Sequence, residues 1–219
     1  EYRVEKDFLG EKQVPADAYY GVQTMRAVEN FPITGYRLDS ALIKAMGKVK
    51  KAAALANADI GQLDRIKAAL IADAADEVIE GKLDGQFIVD PIQGGAGTSI
   101  NMNTNEVIAN RALEMMGETK GSYHIISPNS HVNMAQSTND SFPTAIHLST
   151  LDTLDALLDA MEELSAEFAR KAEEFDGVIK MGRTHLQDAV PIRLGQEFTA
   201  YRTVLERDIK RIRSTREHL

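Results

Sequence analysis

Hydrophobic residues recur at intervals of three and four along most of the chain, with polar residues between them. This spacing is typical of amphipathic α-helices, and it predicts helices at about residues 42–57, 63–79, 103–116, 142–175 and from 198 onward. The fourth segment is the longest; its apolar seam consists of Leu151, Leu154, Leu158, Met161, Leu164 and Phe168. A helix of that length, on the order of 50 Å at about 1.5 Å per residue, buries its stripe against other long helices. The pattern therefore predicts a mainly α protein with a helical bundle.

Two regions interrupt the helical pattern. Residues 1–39 are rich in glycine, proline and tyrosine, and we expect them to form an extended, irregular arm. Residues 178–194 contain glycine and proline and predict short strands. We interpret residues 1–137 as an N-terminal helical domain and residues 138–219 as the first part of a central helical-bundle domain. The first residue is not methionine and the helical rhythm continues to the last, so we expect a chain that is truncated at both ends.

Composition narrows the class of protein. Hydrophobic residues make up 43% and charged residues 26% of the chain, which is ordinary for a globular protein. The net charge of −8 argues against a general nucleic-acid binder, and no apolar stretch is long enough to predict a membrane partner. The absence of cysteine excludes disulfides and thiol nucleophiles, and it favours a cytoplasmic protein. A basic cluster at residues 207–216 alternates with acidic residues and indicates a solvated or intersubunit face.

A glycine-rich loop, residues 94–97, leads into Thr98, Ser99 and the polar Asn101 at the start of a helical pattern. Glycines allow a close approach of the backbone to a ligand, and the first N–H groups of a helix bind anions. The alternative is a tight turn that is capped by Thr98 or Ser99. A nucleotide site is not predicted, because the lysine of a phosphate-binding loop is missing.

A second polar stretch, residues 127–140, precedes the longest predicted helix. Its hydroxyl and amide side chains, Ser137, Thr138 and Asn139, would stand at the helix N-terminus, where they could form a cup for a carboxylate. The alternative is a well-formed helix start, because Ser137 and Asp140 have the spacing of a capping box.

A third stretch, residues 181–191, contains Thr184 and His185. An imidazole titrates near neutral pH, so His185 is a candidate for acid–base chemistry or for substrate contact. The alternative is a hydrogen-bonded structural histidine. None of the other histidines has a metal-ligand spacing to His185, so no metal site is predicted.

Together these stretches resemble the motifs of the aspartase/fumarase superfamily. The resemblance covers essentially the whole chain and rests on the segments "DFLGEKQVPADAYYGVQT", "GGAGTSINMNTNEVIANRALEMMG", "SPNSHVNMAQSTND" and "MGRTHLQDAVPIRLGQEF". The motifs are more similar to the aspartate ammonia-lyase branch than to fumarases, which tend to have TGSGTQ in the loop and Ser-Ser-Asn in the cup. Ser127 also stands where the fumarase motif has a histidine.

This resemblance implies reversible conversion of L-aspartate to fumarate and ammonia through an enediolate, with no organic cofactor. Thr98, Ser137 and Thr138 would bind the β-carboxylate, and Thr98 and His185 are the catalytic candidates. The remaining substrate-binding candidates are Asn139 and His185 at the amino group, Thr184 near the α-carboxylate and Asn101 beside the loop.

The resemblance also implies a homotetramer whose active sites are shared among subunits, so that the three stretches would serve different sites. The superfamily's mobile loop, which supplies a serine base, has no counterpart in residues 1–219. We therefore expect this chain alone to be inactive. Fumarase or another superfamily lyase, and a non-catalytic scaffold on the same fold, stay open as alternatives.

Overall fold

The computed structural model describes residues 1–219 and is mainly α-helical, as predicted. Its helices are α1 (Val22–Asn30), α2 (Ser40–Asp59), α3 (Arg65–Ile79), α4 (Thr98–Met115), α5 (Thr138–Glu174) and α6 (Leu194–Thr215). Its strands are β1 (Tyr2–Asp7), β2 (Gly10–Pro15), β3 (Ile179–Thr184) and β4 (Gln187–Arg193). None of the helices combines the length and the apolar character that crossing a membrane requires. The chain divides into two compact units, Glu1–Ser149 and Thr150–Leu219.

The prediction of an irregular arm over residues 1–39 is wrong. β1 and β2 form an antiparallel hairpin with Tyr2 opposite Pro15, and α1 follows. Most strand side chains are exposed, so the hydrophobic pattern is weak, and contacts from outside the hairpin hold it in place. Val14 is fully buried, and the Arg3 guanidinium donates hydrogen bonds to four backbone carbonyls, that of Pro15 at the end of β2 and those of Ala16, Ala18 and Tyr20 beyond it.

The helices α2 and α3 lie within a few residues of their predicted bounds, and each begins at an aspartate cap. The Asp39 carboxylate accepts a hydrogen bond from the Ala41 N–H, and the Asp64 carboxylate accepts two from the first turn of α3. These bonds satisfy N–H groups that lack acceptors within the helix. The helices α2, α3 and α4 pack on one another; their core includes Met46, Ile71, Ala75, Val78, Val107, Ile108 and Leu113.

The helix α4 begins at Thr98 rather than at Asn103 as predicted. Its first turns are polar in sequence but buried in the fold: Asn101, Asn103, Thr104 and Asn105 are each less than 3% exposed. Asn103 compensates for its burial with hydrogen bonds to the backbone of Gln86 and Ile88, which are distant in sequence, whereas the Asn105 Oδ1 has no partner. A search for hydrophobic periodicity therefore misses this part of the helix.

The second unit contains most of α5, the β3–β4 hairpin and α6. Leu154, Leu158 and Ile209 form a small buried cluster, and Phe168, Phe175, Phe198 and Tyr201 form a group of aromatic rings. The short strands predicted for residues 178–194 are confirmed. In the basic cluster at residues 207–216, exposed arginines form ion pairs with acidic residues, which fits a solvated face.

Candidate active site

The glycine-rich loop turns into α4 at Gly97, which caps the helix through its backbone. Gly97 has a φ angle of +81°, in the left-handed region that favours glycine. A Cβ atom at this position would lie 2.2 Å from a ring carbon of Phe142, so only glycine lets the loop approach this ring. The N-cap residue is Gly97, which has no side chain to form a cap bond, so the alternative in which Thr98 or Ser99 caps the helix is wrong. Thr98 is instead exposed at the first helical position.

The free N–H groups of α4 surround Thr98. The first N–H groups of a helix have no acceptor within the helix. The Ile100 N–H donates to the side-chain oxygen of Gln93 at 2.8 Å, and the N–H of Asn101 makes the first helical bond, to the carbonyl of Gly97. The N–H group of the exposed Thr98 remains for solvent or a ligand, and the next N–H group belongs to Ser99, which is buried. This arrangement is suited to binding an anion.

The second polar stretch forms an irregular turn that ends at the start of α5. A π-helical turn, Pro128–Val132, is followed by Ala135 in the left-handed region at a φ of +56°. The Ser137 hydroxyl accepts a hydrogen bond from the Asn139 N–H at 3.2 Å, so Ser137 has part of the capping role that its position indicated. Ser137 and Asn139 are exposed and Thr138 is half-buried, so all three are positioned at a helix N-terminus near the surface.

The first two stretches come together within one chain. The Asn101 Nδ2 donates to the Thr138 hydroxyl at 3.1 Å, and the Ser141 hydroxyl donates to the Asn101 Oδ1 at 3.4 Å. The contact of Gly97 with Phe142 adds a close packing point between the same elements. The expectation that the three stretches serve different sites is therefore wrong for the first two. Two helix N-termini with exposed hydroxyls meet there, which concentrates donors for one anion.

A buried lysine lies directly beneath this meeting point. The side chain of Lys50, on α2, is 0% exposed, and its Nζ donates to the Asn101 Oδ1 at 2.6 Å and to the Asn133 Oδ1 and the Gln136 Oε1, both at 2.9 Å. Burial lowers the pKa of Lys50 to about 7. Asn101 is itself 2% exposed and is bonded to protein partners, so it supports the cup from inside.

The third polar stretch is a turn in the second unit. Thr184 ends β3, and His185 and Leu186 both adopt left-handed backbone conformations at φ of +49° and +61°. All of these residues are exposed. The turn presents Thr184 and His185 to the outside of the unit, where their side chains are accessible to a ligand. Within the chain, no group of three or more His, Cys, Asp or Glu side chains is placed to hold a metal ion.

A second buried ionisable group, Glu106, anchors the N-terminus of α1. It is 1% exposed and its carboxylate accepts hydrogen bonds from the N–H groups of Gly21, Gln23 and Thr24 and from the Thr24 hydroxyl. Burial raises the pKa of Glu106 to about 7, and the nearby Glu5 carboxylate adds to this effect. Glu106 thus ties α4 to the N-terminal segment.

The substitution Glu106→Gln is expected to weaken the pH dependence of stability. Because the folded-state pKa lies near 7 and the ordinary pKa of a glutamate is 4.5, Glu106 stabilises the fold below pH 4.5 and this contribution is lost as pH rises towards 7. The free energy of unfolding should fall by up to about 3 kcal/mol over that range in the wild type, at ~1.4 kcal/mol per pH unit for one proton. Glutamine cannot titrate, so urea titrations at several pH values should show a flatter curve. The exposed Glu118→Gln is the control, and equal slopes for wild type and Glu106→Gln would contradict the assignment.

The sequence contains a signal for one of these two buried groups, although neither was predicted. Lys50 follows Ile43 and Met46 at helical spacing and precedes Ala54, so it lies on the buried face of α2. Glu106 precedes Val107 and follows buried asparagines, where no apolar stripe is defined. A charged residue in register with an apolar face is the signal that identifies Lys50; Glu106 has no comparable signal.

The chain matches a known protein family and is similar to several known proteins. The family described as Lyase matches residues 10–219. The chain is similar to an aspartate ammonia-lyase of Bacillus subtilis (strain 168), with 68% identity over all of this chain and 46% of the relative. It is also similar to a class II fumarate hydratase of Halobacterium salinarum, with 56% identity over all of this chain and 47% of the relative.

A solved structure shares the fold. A fumarate lyase:delta crystallin from Brucella melitensis superimposes with a TM-score of 0.93 and 52% identity, covering 99% of this chain and 51% of that one. The chain thus spans about half the length of the curated relatives it matches.

Proposed function

This chain belongs to the lyase family, and from that membership we propose that it forms the N-terminal portion of an aspartate ammonia-lyase, which converts L-aspartate reversibly to fumarate and ammonia. The observation that carries the choice of substrate is the higher identity to the Bacillus ammonia-lyase than to the halobacterial fumarate hydratase. The Ser137-Thr138-Asn139 sequence of the cup supports the same choice.

The proposed chemistry is an elimination. A base removes a proton from the carbon next to the β-carboxylate, and the electron pair moves into that carboxylate to form an enediolate. Collapse of the enediolate forms the carbon–carbon double bond and releases ammonia from the neighbouring carbon. The negative charge grows on the β-carboxylate oxygens, so hydrogen-bond donors that are fixed around them accelerate the reaction.

The cup formed by α4 and α5 provides such donors. We assign the β-carboxylate to the hydroxyls of Thr98, Ser137 and Thr138, which lie at the two helix N-termini, together with the N–H groups of Thr98 and Ser99. The partial positive charge at both helix N-termini favours the developing dianion. Asn101 holds Thr138 from within.

The amino group and the α-carboxylate need further contacts. We assign Asn139 and His185 to the amino group and Thr184 to the α-carboxylate; Thr184 and His185 would come from another subunit of a homotetramer with shared active sites. Exposed apolar side chains on α5 and α6 of the second unit support association through this unit, among them Leu157, Leu164, Tyr201 and Val204. The base and the remaining α-carboxylate ligands are assigned to protein outside residues 1–219, so the chain alone should not turn over aspartate.

Fumarate hydratase is the second candidate, because a relative with that activity is 56% identical. A fumarate hydratase adds water to fumarate, whereas an ammonia-lyase adds ammonia. Both would use the same β-carboxylate cup. A non-catalytic scaffold is a third candidate, and it has no use for the exposed hydroxyls of the cup.

A hybrid enzyme tests the proposal. Residues 1–219 replace the matching 46% of the Bacillus subtilis aspartate ammonia-lyase, and fumarate is followed by its ultraviolet absorbance with aspartate or malate as substrate. We expect fumarate from aspartate and not from malate, and no product from residues 1–219 alone. Activity on malate alone would favour a fumarase, and inactivity of a folded tetrameric hybrid on both substrates would favour a scaffold.

A further inference from the structure

The Lys50 ammonium is buried among neutral groups. The groups that accept hydrogen bonds from it, on α4 and in the turn before α5, are all side-chain amides: Asn101, Asn133 and Gln136. Its three acceptors match the three hydrogens of a protonated amine. Burial is the cause of its lowered pKa, and no neighbouring carboxylate offsets that burial. A buried cation without a carboxylate partner is costly, and here three neutral acceptors offset part of that cost.

The ammonium determines which way the Asn101 amide points. An ammonium is only a donor, so Asn101 must present its Oδ1 to Lys50. Its Nδ2 then donates to the Thr138 hydroxyl and to the Asn133 Oδ1, each at 3.1 Å. Rotation of the amide by 180° would place an NH2 group against the ammonium, which is strongly unfavourable. Lys50 thereby selects one of the two amide orientations.

The same ammonium organises the turn that leads to Thr138. Asn133 and Gln136 both direct their side-chain oxygens at Lys50. Their amide nitrogens then bind backbone carbonyls of the turn itself: Asn133 donates to Gln136, and Gln136 donates to Val132. The turn therefore closes around the lysine, and the start of α5 follows directly.

The hydrogen bonds run in one direction towards the cup. Lys50 donates to Asn101, and Asn101 donates to Thr138. Because the Thr138 oxygen accepts from Asn101, its own hydrogen is directed elsewhere, as a donor to a ligand requires. Hydrogen bonds in such a chain polarise one another, and a charge at the first donor strengthens the last.

We propose that Lys50 is a positioning residue of the carboxylate cup, which orients the Asn101 amide and thereby makes the Thr138 hydroxyl a donor to the substrate carboxylate. The functional part of this inference rests on the proposed function, in which Thr138 binds the β-carboxylate. Lys50 has no negatively charged neighbour, and in this proposal the substrate carboxylate supplies the negative charge. Two hydrogen-bonded groups, Asn101 and Thr138, lie between Lys50 and that carboxylate.

Nuclear magnetic resonance on the 219-residue chain tests the orientation without any ligand. The side-chain amide signals of Asn101 and the Nζ signal of Lys50 are followed from about pH 5 to 11, a range that spans the folded and free pKa values of lysine. We expect the Asn101 amide to shift with the same midpoint as Lys50. Asn103, whose side chain binds only backbone groups, is the control. An Asn101 signal that does not follow Lys50 overturns the proposed orientation.

Inhibition of the hybrid enzyme by succinate tests the functional part, because succinate is a dicarboxylate that cannot undergo the elimination. Lys50→Met should raise the inhibition constant roughly tenfold, as the loss of a charge-assisted hydrogen bond does. The matched control is Lys51→Met, because Lys51 is adjacent on α2 and pairs with Asp76 at the surface. The same substitution in a Thr138→Val background should have less than about a threefold effect, because residues acting through one another are not additive.

Equal effects of Lys50→Met in both backgrounds would show a merely structural role and overturn the inference. If the Lys50→Met hybrid does not fold, the pH dependence of the wild-type hybrid tests the inference instead. Its inhibition constant for succinate should increase as the pH rises through the pKa of Lys50, and Thr138→Val should reduce that increase. A steady constant in the wild type would also overturn the inference. If the wild-type hybrid shows neither activity nor succinate binding, the proposed function and the proposed role of Lys50 in substrate binding are both wrong. The resonance titration then still tests the orientation of Asn101.

Discussion

Replacing Thr98 with alanine is expected to lower the turnover of the hybrid enzyme on aspartate by about 10²–10³-fold, the usual effect of removing one donor to a developing oxyanion. The Thr98 hydroxyl lies over Gly95, where a Cβ atom would come within 2.7 Å of it. This places the hydroxyl on the glycine loop, beside the unused N–H groups at the start of α4. Its removal takes away a donor that is already in position when the charge develops.

The stability of the chain should hardly respond to the same substitution. Thr98 is exposed, and surface substitutions usually change the free energy of unfolding by less than ~0.5 kcal/mol. Thermal unfolding of the 219-residue chain measures this, and Thr98→Ser is the matched control that retains the hydroxyl. Full turnover in Thr98→Ala, or an equal loss in Thr98→Ser, would show that the hydroxyl has no such role.

Replacing Gly97 with alanine is expected to reduce the free energy of unfolding by roughly 2–5 kcal/mol. Two costs combine: about 1–2 kcal/mol for a side chain in the left-handed region and about 1–3 kcal/mol for overpacking against the Phe142 ring. The Cβ atom would lie 2.2 Å from that ring. Either the loop or α5 must move, so the cup should lose its geometry and the hybrid its activity as well.

Gly117→Ala separates the two costs, because Gly117 has a φ of +84° and no atom within 4 Å of a Cβ. It should show the backbone cost alone, measured by urea titration of the chain. Phe142→Leu in the Gly97→Ala background should recover part of the loss. A Gly97→Ala chain as stable as Gly117→Ala would mean that the loop does not need its close contact with Phe142.

The periodic segments show how far local pattern predicts the fold. The helices α2, α3 and α5 could be located because their buried residues are apolar and recur with the helical repeat. The first turns of α4 escaped because their buried residues are asparagines whose bonding partners are distant in sequence. The β1–β2 hairpin escaped because Arg3 and Val14 stabilise it through contacts beyond its own strands.

The candidate site, like the fold, could be predicted from the sequence only in part. Glycine, hydroxyl and amide residues near predicted helix starts made Thr98, Ser137 and Thr138 candidates for anion binding, and the family resemblance assigned all three to one carboxylate. Their convergence with Asn101 in one unit depends on how α4 and α5 pack, which no local pattern contains.

The sequence by itself therefore determined the helical class, the family resemblance and the polar residues available for chemistry, because propensity, periodicity and motif are local properties. Only the tertiary structure decided which of these residues meet. Lys50 shows the physical reason: a buried ammonium is tolerated only where acceptors surround it, and its shortest bond is to Asn101, 51 residues away. Whether such a group is buried or exposed, charged or neutral, depends on partners that chain folding brings together.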